Sequence, residues 1–329
     1  MKDFEYAAPQ WEAEVVQLLS PEYGRTEILA GGTDLIPLMK KMVVTPERVV
    51  NVMNVPSLKQ IERTASGVSI GAAVTLDELL ESDYLSDYPA IKQAIRGLNS
   101  MQLQCQSTIG GDLCQRPQCW FYRNGRGLLA EEGRLVAAGD NRLHAIFGNA
   151  GPAKFVSASR LAPALIALGA TLRIYGPTVD EERLVPAEEF YRTPKNAGQR
   201  ETILLANQLL THVFLPLAVG TSSATYEVRH GEGPDDPLVA ASAALAIDDG
   251  LVRDARIVLG QVAPTPWPSA AAAEALIGQR VSPQTAEAAG QAAVARATPL
   301  SNNAYKVQLA KVAVKRAILL AAGCETGGL

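Results

Sequence analysis

The sequence predicts an α+β fold made of two small lobes and a third domain. Three observations favour it: short apolar runs alternate with helical stretches in the first third of the chain, a glycine-rich middle segment shows weak periodicity, and the composition shifts towards alanine after Pro216. A length of 329 residues fits two or three domains. We expect the first lobe at 1–57, the second lobe at 58–216 and the third domain at 217–329.

The first lobe is predicted to alternate strand and helix around a glycine pair. An apolar run stops at Gly31 and Gly32, where the chain can turn without obstruction by a Cβ atom. Thr33 or Asp34 is well placed to cap the helix that follows. The predicted elements are a strand at 27–30, a helix at 35–42 and a returning strand at 48–52.

The second lobe is predicted to contain a long irregular insertion. Thr75 and Asp77 are candidate caps for its first helix. The predicted elements are a strand at 67–73, helices at 76–81 and 89–98, a helix at 161–169, a strand at 170–175 and a strand that ends at 216. Residues 114–156 hold six glycines and indicate an extended loop over the second lobe, and structureless stretches of this length are often functional.

The third domain is predicted to combine a β-hairpin with three helices. The hairpin would pair 240–247 with 252–259 across the turn formed by Asp248, Asp249 and Gly250. The alanine-rich remainder predicts helices at 270–277, 282–297 and 302–322.

Composition excludes several classes of function. The net charge of -4 and a pI near 5.6 leave no basic surface for nucleic acid. No apolar run approaches the length of a membrane span, and the N-terminal segment lacks the pattern of a secretory signal. Four cysteines do not suggest a disulfide scaffold, so a cytoplasmic protein is expected.

Two segments combine an apolar residue, a glycine pair and small polar residues. The first is LAGGTDL at 29–35 and the second is TIGGD at 108–112. Backbone N–H groups at such turns can bind an anion, and two turns in adjacent lobes can grip a diphosphate from both sides. Neither segment fits the glycine patterns of nicotinamide-dinucleotide or nucleoside-triphosphate sites. The alternative, for either segment alone, is a glycine turn that only separates two secondary-structure elements.

Longer stretches resemble the FAD-binding subunits of the xanthine dehydrogenase and carbon monoxide dehydrogenase family. LAGGTDLIPLMK at 29–40 and TIGGD at 108–112 look like the two pyrophosphate segments of that family. Three further stretches agree with it in order: SIGAAVTLDEL at 69–79, LAPALIALGA at 161–170 and NAYKVQLAKVAVKRAI at 303–318. The resemblance spans nearly the whole chain.

The resemblance implies a two-lobed FAD-binding domain of the vanillyl-alcohol-oxidase-like (PCMH) type, followed by the C-terminal α+β domain of the family. It implies FAD as cofactor and a complex with a molybdenum-cofactor large subunit and a [2Fe–2S] small subunit, arranged as a dimer of heterotrimers. This chain would relay electrons between the iron–sulfur clusters and an external acceptor or donor. No catalytic side chain is expected, because the flavin carries the redox chemistry.

Carried over position by position, the resemblance also implies the residues that contact the cofactor. They are Leu29, Ala30, Gly31, Gly32, Thr33, Asp34, Leu35, Ile36, Leu98, Thr108, Ile109, Gly110, Gly111, Asp112 and Ser159. Tyr191 is a candidate for the isoalloxazine side, against the alternative of a tyrosine that only packs.

Two positions depart from the pattern of the family. Asp112 stands where the family usually has Asn, and its carboxylate repels a diphosphate unless it turns away or binds the ribose. Arg160 stands where the family commonly has Asp, and it cannot accept from ribose hydroxyls as Asp can, although it can pair with phosphate.

The insertion is similar to that of 4-hydroxybenzoyl-CoA reductase-like flavoprotein subunits, in which four cysteines hold a [4Fe–4S] cluster. Cys119 matches one ligand position, but no cysteine follows it within the insertion. Because such a cluster normally needs four thiolates, we expect no metal here and interpret Cys119 as a leftover ligand position. The three histidines show no metal-ligand spacing, and no cysteine is expected to pair with a histidine.

Two alternatives stay open at this point. One is a stand-alone FAD oxidoreductase, which the lack of an acid–base set near the glycine segments disfavours. The other is a degenerate scaffold subunit that no longer binds flavin, which Asp112, Arg160 and the missing cysteines would support.

Overall fold

The computed structural model describes residues 1–231 and 233–326. Its first lobe is a three-stranded parallel sheet in the order β1-β3-β2 with two short helices. The elements are β1 (Glu5–Ala7), α1 (Glu12–Leu18), β2 (Thr26–Leu29), α2 (Leu35–Lys40) and β3 (Arg48–Asn51). The sequence missed β1 and α1, whose short apolar patterns are weak periodicity signals.

The second lobe is a five-stranded antiparallel sheet in the order β4-β5-β8-β6-β7, covered by helices. Its elements are β4 (Ile61–Thr64), β5 (Gly67–Gly71), α3 (Leu76–Glu81), α4 (Pro89–Gly97), α5 (Met101–Gln106), α6 (Ile109–Leu113), α7 (Trp120–Arg123), α8 (Arg134–Ala138), α9 (Ala162–Ala167), β6 (Thr171–Tyr175), β7 (Glu182–Pro186) and β8 (Leu209–Pro216). Thr75 caps α3 through a capping box with Glu78, as the sequence predicts. The last strand, β8, lies in the centre of the sheet, and α4 and α9 bury their apolar faces in the core of this lobe.

The third domain is a four-stranded antiparallel sheet in the order β12-β11-β10-β9, with three helices. Its elements are β9 (Thr221–Val228), β10 (Val239–Asp248), β11 (Leu251–Gly260), β12 (Trp267–Pro268), α10 (Ala270–Glu274), α11 (Pro283–Val294) and α12 (Tyr305–Ala321). The predicted hairpin is confirmed: Asp249 and Gly250 both have positive φ, of 51° and 75°, as a two-residue hairpin turn with right-handed twist requires. Small residues let α11 and α12 approach closely, since a Cβ at Gly290 would lie 2.6 Å from the carbonyl oxygen of Lys311.

The insertion is not the extended loop over the second lobe that its sequence suggests. It contains α7 and α8 and a small core of its own, which packs against Leu38 of the first lobe. Its later part lies on the third domain, where Asn303 and Lys306 of the α12 region donate to backbone carbonyls at 143–145. The sequence did not reveal this order, because the segment combines a small aperiodic apolar core with polar contacts and has no single periodic apolar face.

Among residues 1–231 and 233–326, no helix is long and apolar enough to cross a membrane. The α+β architecture that the sequence predicts is confirmed, with a two-lobed first part followed by an α+β domain. The second glycine segment is the main local error, because 109–113 is the helix α6 and not a loop.

Candidate functional site

The two glycine segments line one cleft between the first and second lobes. The cavity measures about 230 Å³. Its walls include Ala30, Gly31, Gly32, Thr33, Asp34 and Leu35 from the first segment and Thr108, Gly110 and Gly111 from the second. The fold thus brings together two segments that are more than seventy residues apart, as the sequence predicts.

The first segment is a turn that only glycine allows. A Cβ at Gly31 would lie 1.5 Å from the carbonyl oxygen of Gln106, so α5 and this turn touch backbone to backbone. Gly32 has a φ of +73°, which disfavours any side chain. Among the hydrogen bonds of the described residues, none uses the backbone N–H of Gly32, Thr33 or Asp34. These unpaired donors at the rim of the cleft can bind an anion.

Asp34 occupies the N-cap position of α2, but its side chain does not cap the helix. One carboxylate oxygen accepts from the backbone N–H of Arg116 at 2.9 Å, and the other accepts from Nη2 of Arg123 at 2.6 Å. Asp34 therefore fastens the insertion to the first segment. Thr33 does not cap α2 either, since its Oγ1 lies 3.1 Å from the hydroxyl of Ser107.

The backbone N–H groups at 109–111 in the second segment are hydrogen-bonded within the protein. Thr108 is the N-cap of α6, and its Oγ1 accepts from the N–H of Gly111 at 3.0 Å. The N–H of Gly110 donates to the carbonyl of Ala72 at 2.9 Å, and the N–H of Ile109 donates to Val74 at 3.0 Å. A Cβ at Gly110 would lie 2.8 Å from Ala72, so this glycine permits close packing beside the cleft.

Asp112 turns its carboxylate away from the cleft. It accepts from the hydroxyl of Ser159 at 2.5 Å and from the backbone N–H groups of Leu161 at 3.0 Å and Arg160 at 3.1 Å. Burial raises the pKa of Asp112, while these hydrogen bonds lower it. The concern that Asp112 repels a diphosphate is thus removed. Ser159 is itself committed, since its hydroxyl also accepts from the N–H of Ala162 at the start of α9.

Arg160 does not face the cleft as a phosphate ligand. Its Nη1 lies 2.7 Å from Oε2 of Glu227, with both side chains nearly buried, and its Nη2 donates to the carbonyl of Asp235. A Cβ at Gly97 would lie 2.1 Å from Glu227, so α4 also closes on this ion pair. The pair joins the second lobe to the third domain. Leu98, which follows Gly97 at the end of α4, packs against the core of the second lobe.

The cleft is also lined by charged side chains that the sequence did not single out. Arg116, Arg200, Glu201 and Glu27 all line it. Nε of Arg116 lies 2.6 Å from Oε1 of Glu201. Burial raises the pKa of Glu27, opposed by the two arginines. Residues so far apart in the chain give no sequence pattern that could have identified them.

Tyr191 lies behind α6. Its hydroxyl donates to the carbonyl of Leu113 at 3.0 Å, and its ring packs edge-on against Phe190. Burial raises the pKa of Tyr191 well above its usual value. Tyr191 does not line the cleft.

Cys119 and His144 pair in the insertion, contrary to the sequence expectation. Sγ of Cys119 lies 3.2 Å from Nε2 of His144, and both residues are buried. Trp120 and Phe121 surround the imidazole ring, and burial lowers the pKa of His144 to about 4. Among the described residues, no group of three or more His, Cys, Asp or Glu side chains could hold a metal ion.

Comparisons with known proteins agree with this architecture. Residues 2–218 match the FAD binding domain in molybdopterin dehydrogenase, and residues 224–321 match the CO dehydrogenase flavoprotein C-terminal domain. The chain is 31% identical over 317 residues to the FAD-binding subunit of an aldehyde oxidoreductase of Escherichia coli, covering 94% of this chain and 96% of the relative. It is 27% identical to the carbon monoxide dehydrogenase medium chain of Hydrogenophaga pseudoflava, with 96% of each covered.

A solved structure agrees as well. Carbon monoxide dehydrogenase from Hydrogenophaga pseudoflava, in a form that lacks the Mo-pyranopterin moiety, superposes with a TM-score of 0.77 at 26% identity, covering 98% of this chain and 99% of that chain. Fold and cleft together define an FAD-binding subunit of an oxidoreductase. The chain belongs to the molybdopterin dehydrogenase FAD-binding family and is a medium subunit of the molybdenum hydroxylase type, related to xanthine dehydrogenase. Its cofactor is FAD.

Proposed function

We propose that this chain relays electrons between the [2Fe–2S] clusters of a small subunit and an external acceptor or donor. The observation that supports it is the cleft between the two glycine segments, in which the first segment offers unpaired backbone donors at the position where the family implies a diphosphate. FAD, when bound, exchanges single electrons and electron pairs. The side chains described here bind and orient it, and none is positioned as a general acid or base.

The chain's own residues fit the cofactor. The first segment, 29–36, supplies the backbone donors, and the Thr33 hydroxyl stands at the cleft. The second segment, 108–112, closes the opposite wall. Leu98 is proposed to pack against the cofactor, and Ser159 is proposed to help hold its adenosine side, through its backbone because its hydroxyl is engaged.

The partners proposed are a molybdenum-cofactor large subunit and a [2Fe–2S] small subunit, in a dimer of heterotrimers. The relatives at high coverage are named as medium chains or FAD-binding subunits, which supports a place in such a complex. The scaffold alternative loses one of its three arguments, because Asp112 points away from the cleft. The stand-alone alternative gains no support from the cleft, and the cytoplasmic location stays a prediction.

The test is a transfer experiment on the full complex. The chain is co-expressed with candidate small and large subunits from the same genome, and the purified complex is mixed with a reductant of the iron–sulfur clusters in a stopped-flow instrument. We expect bleaching of the oxidised flavin absorption to follow bleaching of the clusters. A flavin that stays oxidised while the clusters are reduced would contradict the relay. A folded chain that takes up no flavin would contradict the cofactor assignment as well.

A further inference from the structure

A second cavity lies between the second lobe and the third domain. It measures about 350 Å³, compared with about 230 Å³ for the cleft of the glycine segments. The second lobe contributes Tyr88 at the start of α4, the end of α9 at 167–169 and the end of β8. Strands β9, β10 and β11 of the third domain form its floor. The described residues that line it do not line the cleft, so the two are separate spaces.

The cavity also lies far from the implied cofactor positions. Thr221 lines it at the first residue of β9, whereas Glu227, near the other end of that strand, pairs with Arg160. A β-strand rises about 3.4 Å per residue, which puts the two ends of this pairing strand about 20 Å apart. Helix α4 spans the same interval, with Tyr88 at the cavity and Gly97 against Glu227. A ligand in the cavity therefore belongs to a different site.

The floor consists of two rows of side chains on one face of the sheet, each with an alanine in the middle. The rows run across β9, β10 and β11 and are Thr221, Ala246 and Asp254, then Ser223, Ala244 and Arg256. Directly opposed residues point to the same face of a sheet, so the alanines leave a hollow between hydroxyl groups on β9 and charged groups on β11.

The polar groups around this hollow have unused hydrogen-bonding capacity. In the part of the chain that the structure describes, the Arg256 guanidinium makes no hydrogen bond and no ion pair. The Asp254 carboxylate accepts there only from the N–H of its neighbour Ala255, at 3.0 Å. Ser223 is 5% exposed, and its Oγ has no hydrogen-bond partner among the same residues. Because a buried hydroxyl is rarely left unpaired, this one points to a ligand group that the chain does not supply.

Arg256 is held in place over the hollow. A Cβ at Gly169 would lie 2.8 Å from Nη1 of Arg256, so the guanidinium lies against the end of α9. The carbonyl end of a helix favours a cation, which supports this placement. Asp254 stands in the adjoining row, yet the two opposite charges form no ion pair within the described chain. Neighbouring opposite charges that do not pair can each bind one end of a ligand.

We propose that this cavity binds a small carboxylate that also carries a hydrogen-bond donor, such as an amino acid or a hydroxy acid. The planar guanidinium of Arg256 offers a fork of N–H donors that matches a carboxylate. The Asp254 carboxylate accepts from the amino or hydroxyl group, and the Ser223 hydroxyl lies beside them on the floor. The volume falls within the range of small-molecule sites. This site does not depend on the proposed electron relay.

The experiment titrates defined probes into the full-length, flavin-loaded chain and detects them by ligand-observed NMR. L-Serine and L-lactate carry a carboxylate and a donor, acetate carries only the carboxylate, and ethanolamine carries only donors. We expect dissociation constants of about 1 mM for serine and lactate, because each engages both charged groups. Acetate and ethanolamine engage one group each and should bind about tenfold more weakly.

Variants of the floor test the assignment of each end. Arg256→Gln is expected to weaken serine binding about tenfold and Asp254→Asn about fivefold, with acetate affected only by the first. Ala246→Leu fills the hollow without changing a charge and should abolish binding. The matched control is Arg253→Gln, because Arg253 is exposed on the same strand, pairs with Asp248 at 3.5 Å and does not line the cavity. It should bind serine as wild type does.

Other results would overturn the site. Wild type that binds neither serine nor lactate at about 50 mM has no such site, while its bound flavin would show that the cofactor cleft is intact. Equal losses in Arg253→Gln and Arg256→Gln would mean that the probes only follow surface charge. Full binding by Ala246→Leu would place the probes elsewhere on the molecule. Acetate that binds as tightly as lactate would remove Asp254 from the site and contradict the ligand class.

Discussion

The two glycine segments share the pattern of an apolar residue, two glycines and an aspartate, but their backbone N–H groups are used differently. In the first, Gly31 lies against the Gln106 carbonyl, Gly32 has a positive φ, and the following backbone donors are unpaired. In the second, the donors of 109–111 are paired within the protein, and Asp112 fastens α6 to the start of α9. We propose that the first segment binds the cofactor and that the second holds the cleft in shape. Unpaired donors, rather than glycine pairs as such, mark where a ligand is expected.

The largest effect is expected from Gly31→Ala. Its Cβ would stand 1.5 Å from the Gln106 carbonyl oxygen, so the turn and α5 must separate, and we expect FAD binding to be lost and the melting temperature to fall. Gly151→Ala is the control, because its Cβ would meet nothing within 4 Å and its φ is unexceptional. Flavin content after reconstitution and a thermal scan measure both effects. A Gly31→Ala protein that keeps its flavin would break the assignment of the first segment.

Asp112→Ala should act on stability far more than on affinity. The substitution leaves the backbone N–H groups of Arg160 and Leu161 and the hydroxyl of Ser159 buried without an acceptor. We expect this to lower the free energy of unfolding by about 3–5 kcal/mol. Asp112→Asn keeps one accepting oxygen and should cost about 1–2 kcal/mol. Denaturant unfolding measures the loss and flavin titration the affinity. If the affinity of the folded Asn variant fell about tenfold or more, the second segment would be a binding element after all.

His144 extends the comparison into the insertion that follows the second segment. With a folded pKa of about 4 against 6.5 in the unfolded chain, the unfolded state binds the extra proton between these values, so stability falls as the pH drops from 6.5 to 4. His144→Gln should lessen that fall by up to about 3 kcal/mol and leave FAD affinity at neutral pH unchanged. Unfolding curves across this pH range measure it. An equal slope in both proteins would mean that His144 is not buried as a neutral group.

The smallest effects are expected from the two threonines. Thr108→Val removes the cap of α6 and should cost about 1 kcal/mol, with little change in affinity. Thr33→Val removes only an exposed contact with Ser107 and should leave stability within about 0.5 kcal/mol, yet weaken FAD binding severalfold. Melting temperatures and flavin titrations of the two variants are compared directly. If Thr108→Val instead weakened FAD binding and Thr33→Val instead lowered stability, the second segment would be the binding element and the first the structural one.

Sequence patterns predicted those parts of the molecule that local chemistry determines. The turn at Gly31 and Gly32, the Thr75 cap and the Asp249–Gly250 hairpin each depend on residues close together in the chain. The sequence predicted the second segment as a loop, because TIGGD lacks strong helix-forming side chains. Its helix is evident only in the fold, where Thr108 caps it and the carbonyls of Ala72 and Val74 accept from its first backbone N–H groups.

Contacts over long sequence separation could not be predicted. Cys119 meets His144 across 25 residues, and Arg116 meets Glu201 across 85, with no spacing rule for either. The contact between the insertion and α12 depends on Lys306. Its Nζ donates to three backbone carbonyls, those of Gln261, Leu143 and His144. Only the folded chain brings these groups together.

The central position of β8 governs when the cleft can exist during synthesis. Because β5 and β6 are joined only through β8, the sheet of the second lobe stays open until residue 216 has left the ribosome, and the insertion waits longer still for α12 near the end of the chain. Pairings over such separations are slow and leave strand edges unprotected meanwhile. We therefore expect cofactor loading to occur only after residue 216 is available to the folding chain. A nascent chain arrested before residue 216 should bind no flavin and should be readily captured by chaperones.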